Sequence, residues 1–291
     1  MPITYAVIVP HFNDVERLGR CLGALFAGDV TATEVVVVDN GSTQPLDSLQ
    51  ERFGDVRFVT ESQKGAALAR NRGVRESTAK TIIFLDADCV PAPGWLAAAK
   101  EACNGGAAIV GGAIDVFDET PPPRTGAQAF ETVFAFNYKE YIEKKKFSVT
   151  ANLVTTRPVF EAVGGFIDGV SEDAEWCLRA QSKGFTLALD ERMRVAHPTR
   201  SDWSALAYKW RRIAREMHQL HRANRPGITG DAVWLLRALA MPVSIFIHIP
   251  KLLFSDKLGG MTERFKGIAT LVRLRLLRSY WMIRQVMRLP I

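Results

Sequence analysis

The run Thr81-Ile82-Ile83-Phe84-Leu85-Asp86-Ala87-Asp88-Cys89-Val90-Pro91 constrains this chain more than any other stretch. Four consecutive apolar residues, Ile82 to Leu85, do not alternate between core and solvent, so they read as a central strand covered on both faces. That strand belongs to a layered α/β sheet and delivers Asp86 and Asp88 where the backbone must turn. In an open α/β sheet the carboxyl ends of the strands border the ligand crevice. Two acids one residue apart repel each other and lose hydration on burial, which a hard cation relieves with an anionic substrate as its further ligand. A strand end with two solvated acids is the alternative.

The flanks repeat the pattern. Tyr5 to Pro10 is a short apolar run ending in Pro10-His11-Phe12-Asn13-Asp14, after which Leu18, Cys21, Leu22, Leu25 and Phe26 recur at helical spacing. Glu34 to Asp39 carries four valines and closes on the turn-rich Asp39-Asn40-Gly41-Ser42-Thr43. Val56 to Thr60 is a weaker strand, and Lys64-Gly65 opens an Ala-rich helix over 66–76 that contains Arg70 and Asn71. Strand and helix alternating at this spacing predict a parallel, doubly wound sheet, with Asn13-Asp14, Asp39-Asn40 and Asp86-Asp88 along one edge. Neither G-x-G-x-x-G nor G-x-x-x-x-G-K-[ST] occurs at these ends, so phosphates would be met by side chains and metal.

Farther on, the spacing predicts a helix over 93–103, an extended run over 107–117, an irregular excursion over 118–124 and an aromatic-rich helix over 127–146. A strand over 148–155 and a short helix over 158–163 follow. Ser171 is placed to cap a helix over 172–183, with Gly184 just past its end. Glu172 and Asp173 fall in its first turn, where the helix dipole alone would account for two acids. Val195-Ala196-His197 ends another strand.

A chain of 291 residues with 47% hydrophobic and 23% charged residues suits one sizeable domain with an appendage. Cys21, Cys89, Cys103 and Cys177 are scattered without C-x-x-C spacing, which argues against a zinc site or disulfide framework and for a reducing compartment. No signal peptide is expected at the N-terminus, which runs straight into a strand pattern. Charge is split unevenly: residues 1–191 hold 18 Lys and Arg against 26 Asp and Glu, and residues 192–291 hold 19 against 5. An acidic body with a basic tail suggests an anionic surface as partner.

Within the tail, 201–225 reads as a basic helix with Trp203, Tyr208 and Trp210. Its Lys209, Arg211 and Arg212 are taken as a solvated face, with a diphosphate contact as the alternative. Residues 232–254 are mostly apolar, but only 13 lie between Arg237 and Lys251, and Pro242 and Pro250 argue against a clean membrane span. Residues 264–291 have no acid and seven Lys or Arg interleaved with Leu, Ile, Tyr and Trp, the pattern of an interfacial helix. Nucleic acid would explain the charge but not the apolar content. Attachment to an anionic inner leaflet is therefore expected, against an alternative of an intramolecular or oligomer-burying bundle.

Taken in order, P-x-F-N (10–13), V-V-V-V-D-N-G-S (35–42), A-R-N-x-G (69–73), F-L-D-A-D (84–88), G-G-F (164–166) and E-D-A-E-W-C-L-R-A (172–180) resemble the inverting family 2 glycosyltransferases over residues 4–200. The resemblance implies an α/β fold of the GT-A type, a central Rossmann-like sheet flanked by helices over 1–200, with a basic and apolar helical region over 201–291. It implies that Asp39 contacts the nucleobase, that Pro10, Phe12 and Asn13 shape that pocket, and that Arg70 and Asn71 close it, with Lys64 nearby. Asp88 would bind the Mn2+ or Mg2+ that bridges the donor's phosphates, Asp86 would support the ribose and the metal shell, and His197 would add a ligand. Asp173 would be the catalytic base, with Glu172 beside it. From their position between the two acidic motifs, the aromatic helix over 127–146 and the Thr150-Ala151-Asn152 strand would line the acceptor side, with Trp176. Asn40 stands where the family pattern has a second acid.

The chemistry this implies is transfer of one sugar from a nucleotide-diphosphate donor, a UDP-sugar first, to a hydroxyl of a lipid-linked or cell-envelope saccharide. One carboxylate suffices as base. The absence of Q-x-x-R-W, a mark of processive synthases, favours single transfer. The expected location is cytoplasmic, peripheral or monotopic on the inner face of a membrane, with no nucleic acid partner and with homo-oligomerisation left open. Two other readings stand beside it. Asp86-Ala87-Asp88-Cys89-Val90 also fits the D-x-D-x-[TV] run of haloacid-dehalogenase-like phosphatases, where the motif follows the first strand, and a non-catalytic membrane-binding module would keep the fold without the chemistry.

Overall fold

The computed structural model describes residues 3–291, the side chain of Cys103 excepted, so the expectation placed on that cysteine lies outside the described residues. The chain opens with β1 (Tyr5–His11), α1 (Val15–Phe26), β2 (Thr33–Asp39), α2 (Asp47–Arg52), β3 (Val56–Thr60), α3 (Ala66–Glu76) and β4 (Thr81–Leu85). Ala6 to Val9, Val36 to Val38 and Ile82 to Leu85 are fully buried, which is why each reads as an unbroken apolar run. Asp14 starts α1 by accepting from the Arg17 amide at 3.3 Å, and Leu18, Cys21, Leu22 and Leu25 then lie on its buried face.

Next come β5 (Val90–Pro91), α4 (Trp95–Glu101), β6 (Ile109–Phe117), α5 (Gly126–Phe134), β7 (Asn152–Thr156), α6 (Arg157–Val163), α7 (Glu172–Ser182) and β8 (Leu187–Pro198). The eight strands form one sheet in the order β3-β2-β1-β4-β7-β6-β8-β5. Strands β1 to β4 pair in parallel, as predicted. The other half corrects the expectation of a parallel sheet: β7 runs antiparallel to β4 and β6, and β5 runs antiparallel to β8. The two-residue β5 follows β4 directly, so its partner β8 brings His197, next to Val90's partner Ala196, alongside the β4 end.

The helix expected over 127–146 is also corrected. α5 stops where Ala135 turns extended (ψ 145°) and Phe136 takes a left-handed φ of 50°, and a separate π-helical turn covers Glu140–Lys144. Asn137 starts that turn by donating to Glu140 at 2.6 Å.

Residues gather into two compact units. The first comprises the chain up to Asp115, Asn137–Asp168 and Glu172–His197; the second comprises Val116–Phe136, Gly169–Ser171 and Pro198–Ile291. In the first, Ile8, Val36, Ile82 and Phe84 of the sheet pack with Ala69, Phe160, Phe166 and Trp176. The second consists mainly of α5, α8 (Trp203–Asn224), α9 (Ile228–Leu253) and α10 (Met261–Val286), around Phe130, Leu206, Leu252, Leu271 and Leu274.

Residues 232–254 belong to the single 26-residue α9, which continues through both prolines. Pro242 has no N–H to give the carbonyl of Ala238, four residues earlier, and Ser279 of α10 donates to that carbonyl instead, at 2.8 Å. α9 is long and apolar enough to cross a membrane by length and composition, and only 17% of its apolar stretch is buried. α10 differs from the interfacial helix expected there: Leu271, Leu274, Trp281 and Met282 are buried. The broad exposed apolar face is on α9, at Leu236, Leu239, Val243, Phe246 and Ile247.

Candidate active site

The candidate residues lie in the first unit, at the carboxyl ends of β1, β2 and β4 and on the helices and strands around them. His11 and Asp39 are register partners on β1 and β2. His11 Nε2 accepts from the Asp14 amide at 3.1 Å, which leaves the ring proton on Nδ1 for Asp39 Oδ1 at 3.2 Å. Asp39 Oδ2 accepts from the Ser42 amide at 3.1 Å. The Asn13 side chain, expected in the nucleobase pocket, accepts from the Thr43 amide at 2.7 Å and so ties the β1 loop to the β2 loop. Asn40 does the same one strand farther, donating to the carbonyls of Glu61 and Gln63 and accepting from the Gly65 amide at 2.7 Å. An acid there would lack the amide donors, which accounts for Asn40. Gly65 has a φ of 145°, and a Cβ on it would collide with Asp168. Pro10 is half-buried, Phe12 is exposed, and the Lys64 ammonium sits 5.9 Å from the Phe12 ring.

Arg70 is the hub of the acids. Its buried guanidinium donates to Asp86 Oδ1 at 2.6 Å and to Glu172 Oε1 at 3.1 Å, while Nε is buried without a partner. Burial works against its charge, but Asp86, Glu172 and Asp173 outweigh burial and raise its pKa. Asn71, the next residue on α3, points elsewhere, donating to the Phe166 carbonyl at 2.8 Å and accepting from the Phe166 amide at 2.9 Å.

Asp173 is half-buried in the first turn of α7 and accepts twice on Oδ1, from the Thr150 hydroxyl at 2.6 Å and the Thr150 amide at 3.1 Å. Burial pushes its carboxyl up to about 6, Glu172 and Asp86 push the same way, and Arg70 and Thr150 restrain it. A carboxylate poised near neutrality and open on one side can take a proton from a hydroxyl.

The three side chains assigned to a cation are not gathered into a cage. Asp88 Oδ2 lies 3.1 Å from His197 Nε2, but Asp86 is turned to Arg70. Among the described residues no three His, Cys, Asp or Glu side chains form a ready metal site. A carboxylate and an imidazole in contact do fit two positions of a divalent ion whose remaining ligands are substrate oxygens and water. Burial pushes the thiols of Cys21, Cys89 and Cys177 up, which keeps them protonated and out of such a set.

Asn152 and Trp176 are corrections. Asn152 is completely buried; it donates to the carbonyls of Ala113 and Met193 and accepts from Trp95 Nε1 at 2.9 Å. Trp176 is equally buried, stacked on Phe160, with Nε1 donating to the Gly164 carbonyl. Neither has surface to offer an acceptor. In the second unit, Lys209 is paired with the buried Glu131 at 2.7 Å, which argues against the diphosphate alternative for it. From the sequence, His11 has no assigned role and Thr150 is expected on the acceptor side rather than bonded to Asp173. Aligning the ends of β1 and β2 finds the first, whereas no local signal marks the second.

A family model described as glycosyl transferase family 2 matches residues 6–164. Glycosyltransferase AglE from Haloferax volcanii is 28% identical over 244 residues, covering 79% of this chain and 79% of its own. The glucosyl-dolichyl phosphate glucuronosyltransferase of Haloferax volcanii is 20% identical over 244 residues, covering 76% of this chain and 78% of its own. Among solved structures, the mannosyltransferase PcManGT from Pyrobaculum calidifontis, in complex with GDP-Man and Mn2+, matches with a TM-score of 0.64 at 19% identity, over 99% of this chain and 88% of its own. That likeness bears on the fold, which is of the GT-A type, a mixed sheet flanked by helices. The phosphatase and non-catalytic readings fall with these matches, and the chain belongs to glycosyltransferase family 2.

Proposed function

We propose that this glycosyltransferase moves one sugar, with inversion, from a nucleotide-diphosphate donor to a hydroxyl of a lipid-linked acceptor. The observation that carries the reading is the carboxylate arrangement itself: buried Arg70 donates to Asp86 and Glu172, and beside them Asp173, its carboxyl raised to about 6, is held on Oδ1 by Thr150. Asp173 takes the acceptor's proton as the acceptor oxygen attacks the anomeric carbon, and a single in-line displacement inverts that carbon. Asp39, oriented by His11 and Ser42, is the group for the nucleobase. Asp88 and His197 would hold Mn2+ or Mg2+, whose chemistry there is neutralisation of the leaving diphosphate. An imidazole beside a carboxylate suits Mn2+ better than Mg2+, whose usual ligands are oxygens. A UDP-sugar ranks first as donor on the family resemblance; the GDP-Man of PcManGT makes a GDP-sugar second. The dolichyl phosphate substrate named for one relative supports a lipid-linked acceptor.

The test incubates the purified chain with Mn2+ and UDP-, GDP- and dTDP-sugars, with and without a polyprenyl-phosphate-linked sugar, and follows nucleotide release. Acceptor-dependent release from one donor is expected; no release from any donor, with or without acceptor, counts against the reading. Asp88→Ala is expected to weaken Mn2+-dependent donor binding by at least roughly tenfold, about 1.4 kcal/mol, in calorimetric titration. Unchanged binding would remove Asp88 from the metal site.

The exposed face of α9 supports attachment to an anionic membrane surface. α9 carries a single acid, Asp231, and α10 a single acid, Glu263, against Arg264, Lys266, Arg273, Arg275, Arg278 and Arg284 on α10. The opposite face of α9 is held to α10 by Trp234 Nε1 donating to Gln285 and by the Ser279 bond to Ala238. A helix bonded on one side to so basic a neighbour is suited to lying in the headgroup region rather than spanning. Vesicles of phosphatidylglycerol and phosphatidylethanolamine are expected to sediment the wild-type chain and to lose roughly tenfold or more of the Phe246→Asp/Ile247→Asp variant. Equal sedimentation of both would refute the assignment, as would self-association of the wild type that the variant abolishes.

A further inference from the structure

Thr150 is buried on the segment that enters β7, and both of its hydrogen bonds to Asp173 end on Oδ1. Oδ2 has no hydrogen-bond partner among the described residues, and it is not among the buried polar atoms left unpaired, so solvent reaches it. The two oxygens of one carboxylate are thus unequal before any substrate arrives. The segment is fixed from two sides: Cys177 Sγ of α7 donates to the Ser148 carbonyl at 3.7 Å, and Gly111 of β6 leaves space that a Cβ would deny to the Ser148 side chain.

We propose that Thr150 is a positioning residue that occupies Oδ1 of Asp173 and thereby assigns the acceptor's proton to Oδ2. The inference rests on the reading of Asp173 as the base. In the step, the acceptor hydroxyl proton passes to Oδ2 while an electron pair of the acceptor oxygen forms the new bond to the anomeric carbon. The bond from that carbon to the diphosphate breaks, and its electron pair leaves on the phosphate oxygen. Thr150 donates to a carboxylate oxygen throughout and does not itself exchange a proton.

The second consequence concerns the pH at which the base works. Hydrogen bonds to the charged form favour ionisation, so Thr150 acts against burial. The charged and titratable groups facing Asp173 are Glu172 and the Cys177 thiol on its own helix, Arg70 from α3 and Asp86 from the end of β4. Of these only Arg70 is cationic, and two of its nitrogens are committed to Asp86 and Glu172. Thr150 is therefore the neutral partner through which ionisation of Asp173 can be altered without disturbing the ion pairs.

The test compares Thr150→Val, which keeps the shape and removes the hydroxyl, with Thr150→Ser, which keeps the hydroxyl. Side-chain 13C carboxyl shifts of the full, metal-free chain are followed against pH, with Asp173 assigned from Asp173→Asn. Thr150→Val is expected to raise the Asp173 midpoint by about one to two pH units, the worth of one hydrogen bond to a charged group, and Thr150→Ser to return it. With Mn2+ and the donor selected by nucleotide release, Thr150→Val is expected to lower kcat roughly tenfold at neutral pH and leave the donor KM unchanged. An unmoved midpoint with wild-type kcat in a folded Thr150→Val overturns the inference, and Thr150→Ser behaving like a folded Thr150→Val does so too. If Thr150→Val does not fold, the Thr150→Ser midpoint decides, and a shift of a full unit there counts against the hydroxyl. Wild-type turnover in Asp173→Asn would overturn the base assignment itself, an outcome distinct from a silent Thr150→Val beside an inactive Asp173→Asn.

Discussion

Replacing Asp173 by Asn is expected to lower transfer by roughly 10²–10⁴-fold while leaving donor binding near wild type, because the amide keeps the shape and cannot take a proton. Equilibrium binding of the donor, measured beside kcat, separates this from a structural loss; wild-type turnover would eliminate Asp173 as base. The same carboxyl sets the pH dependence. With its folded value raised to about 6, kcat falls as pH drops through that region with the slope of a single proton, and a cation bound nearby moves the limb lower. For stability the sign is opposite. Between the ordinary carboxylate range and about 6 the folded state holds a proton that the unfolded state has released, so this group takes stability away as pH rises through that window. Asp173→Asn is therefore expected to melt higher than the metal-free wild type at pH 7 while being nearly inactive, the trade seen where function strains a fold.

The Arg70→Leu change is expected to be the most damaging to the fold of the first unit, by roughly 3–5 kcal/mol. Leu fills much of the space but leaves Asp86 and Glu172 facing each other and Asp173 without their shared cation. Asp173 then loses its main restraint and its pKa rises further, so whatever activity survives needs higher pH. Arg70→Lys is expected to recover only part of the loss, since one ammonium cannot present two nitrogens to two carboxylates in fixed directions. Thermal melting of the three proteins checks the order wild type, Lys, Leu. If Leu were neutral, Arg70 would not be the link between the β4 end and α7.

The half of the sheet that could be read from sequence contains three strands built on buried apolar runs and set apart by helices. β1, β2 and β4 are unbroken apolar runs separated by helices, so their parallel order and their acidic ends follow from local pattern. Directions in the other half depend on pairings between distant residues, such as Leu85 with Asn152 and Val90 with Ala196, which no local period reveals. The break after α5 was hidden because Phe130, Phe134, Tyr138 and Tyr141 keep helical spacing across the left-handed Phe136. Asn152 is expected on the acceptor side from its position between the two acidic motifs. Its actual use is to satisfy two carbonyls inside the sheet. Trp176, also expected on the acceptor side, is instead turned by its helix toward Phe160 and Phe166. Acids at strand ends announce themselves in the sequence, whereas the hydrogen bonds that orient Asp39 and Asp173, from His11 and Thr150, carry no local signal.

The bond from Ser279 to the Ala238 carbonyl constrains how α9 and α10 can come together in time. Because Pro242 cannot satisfy that carbonyl from within α9, a solitary α9 carries an open acceptor at its middle, tolerable in water and costing several kcal/mol in hydrocarbon. α9 is thus poorly suited to partition into lipid ahead of α10 during synthesis, and on the proposed membrane attachment the two helices zip together before α9 meets any bilayer.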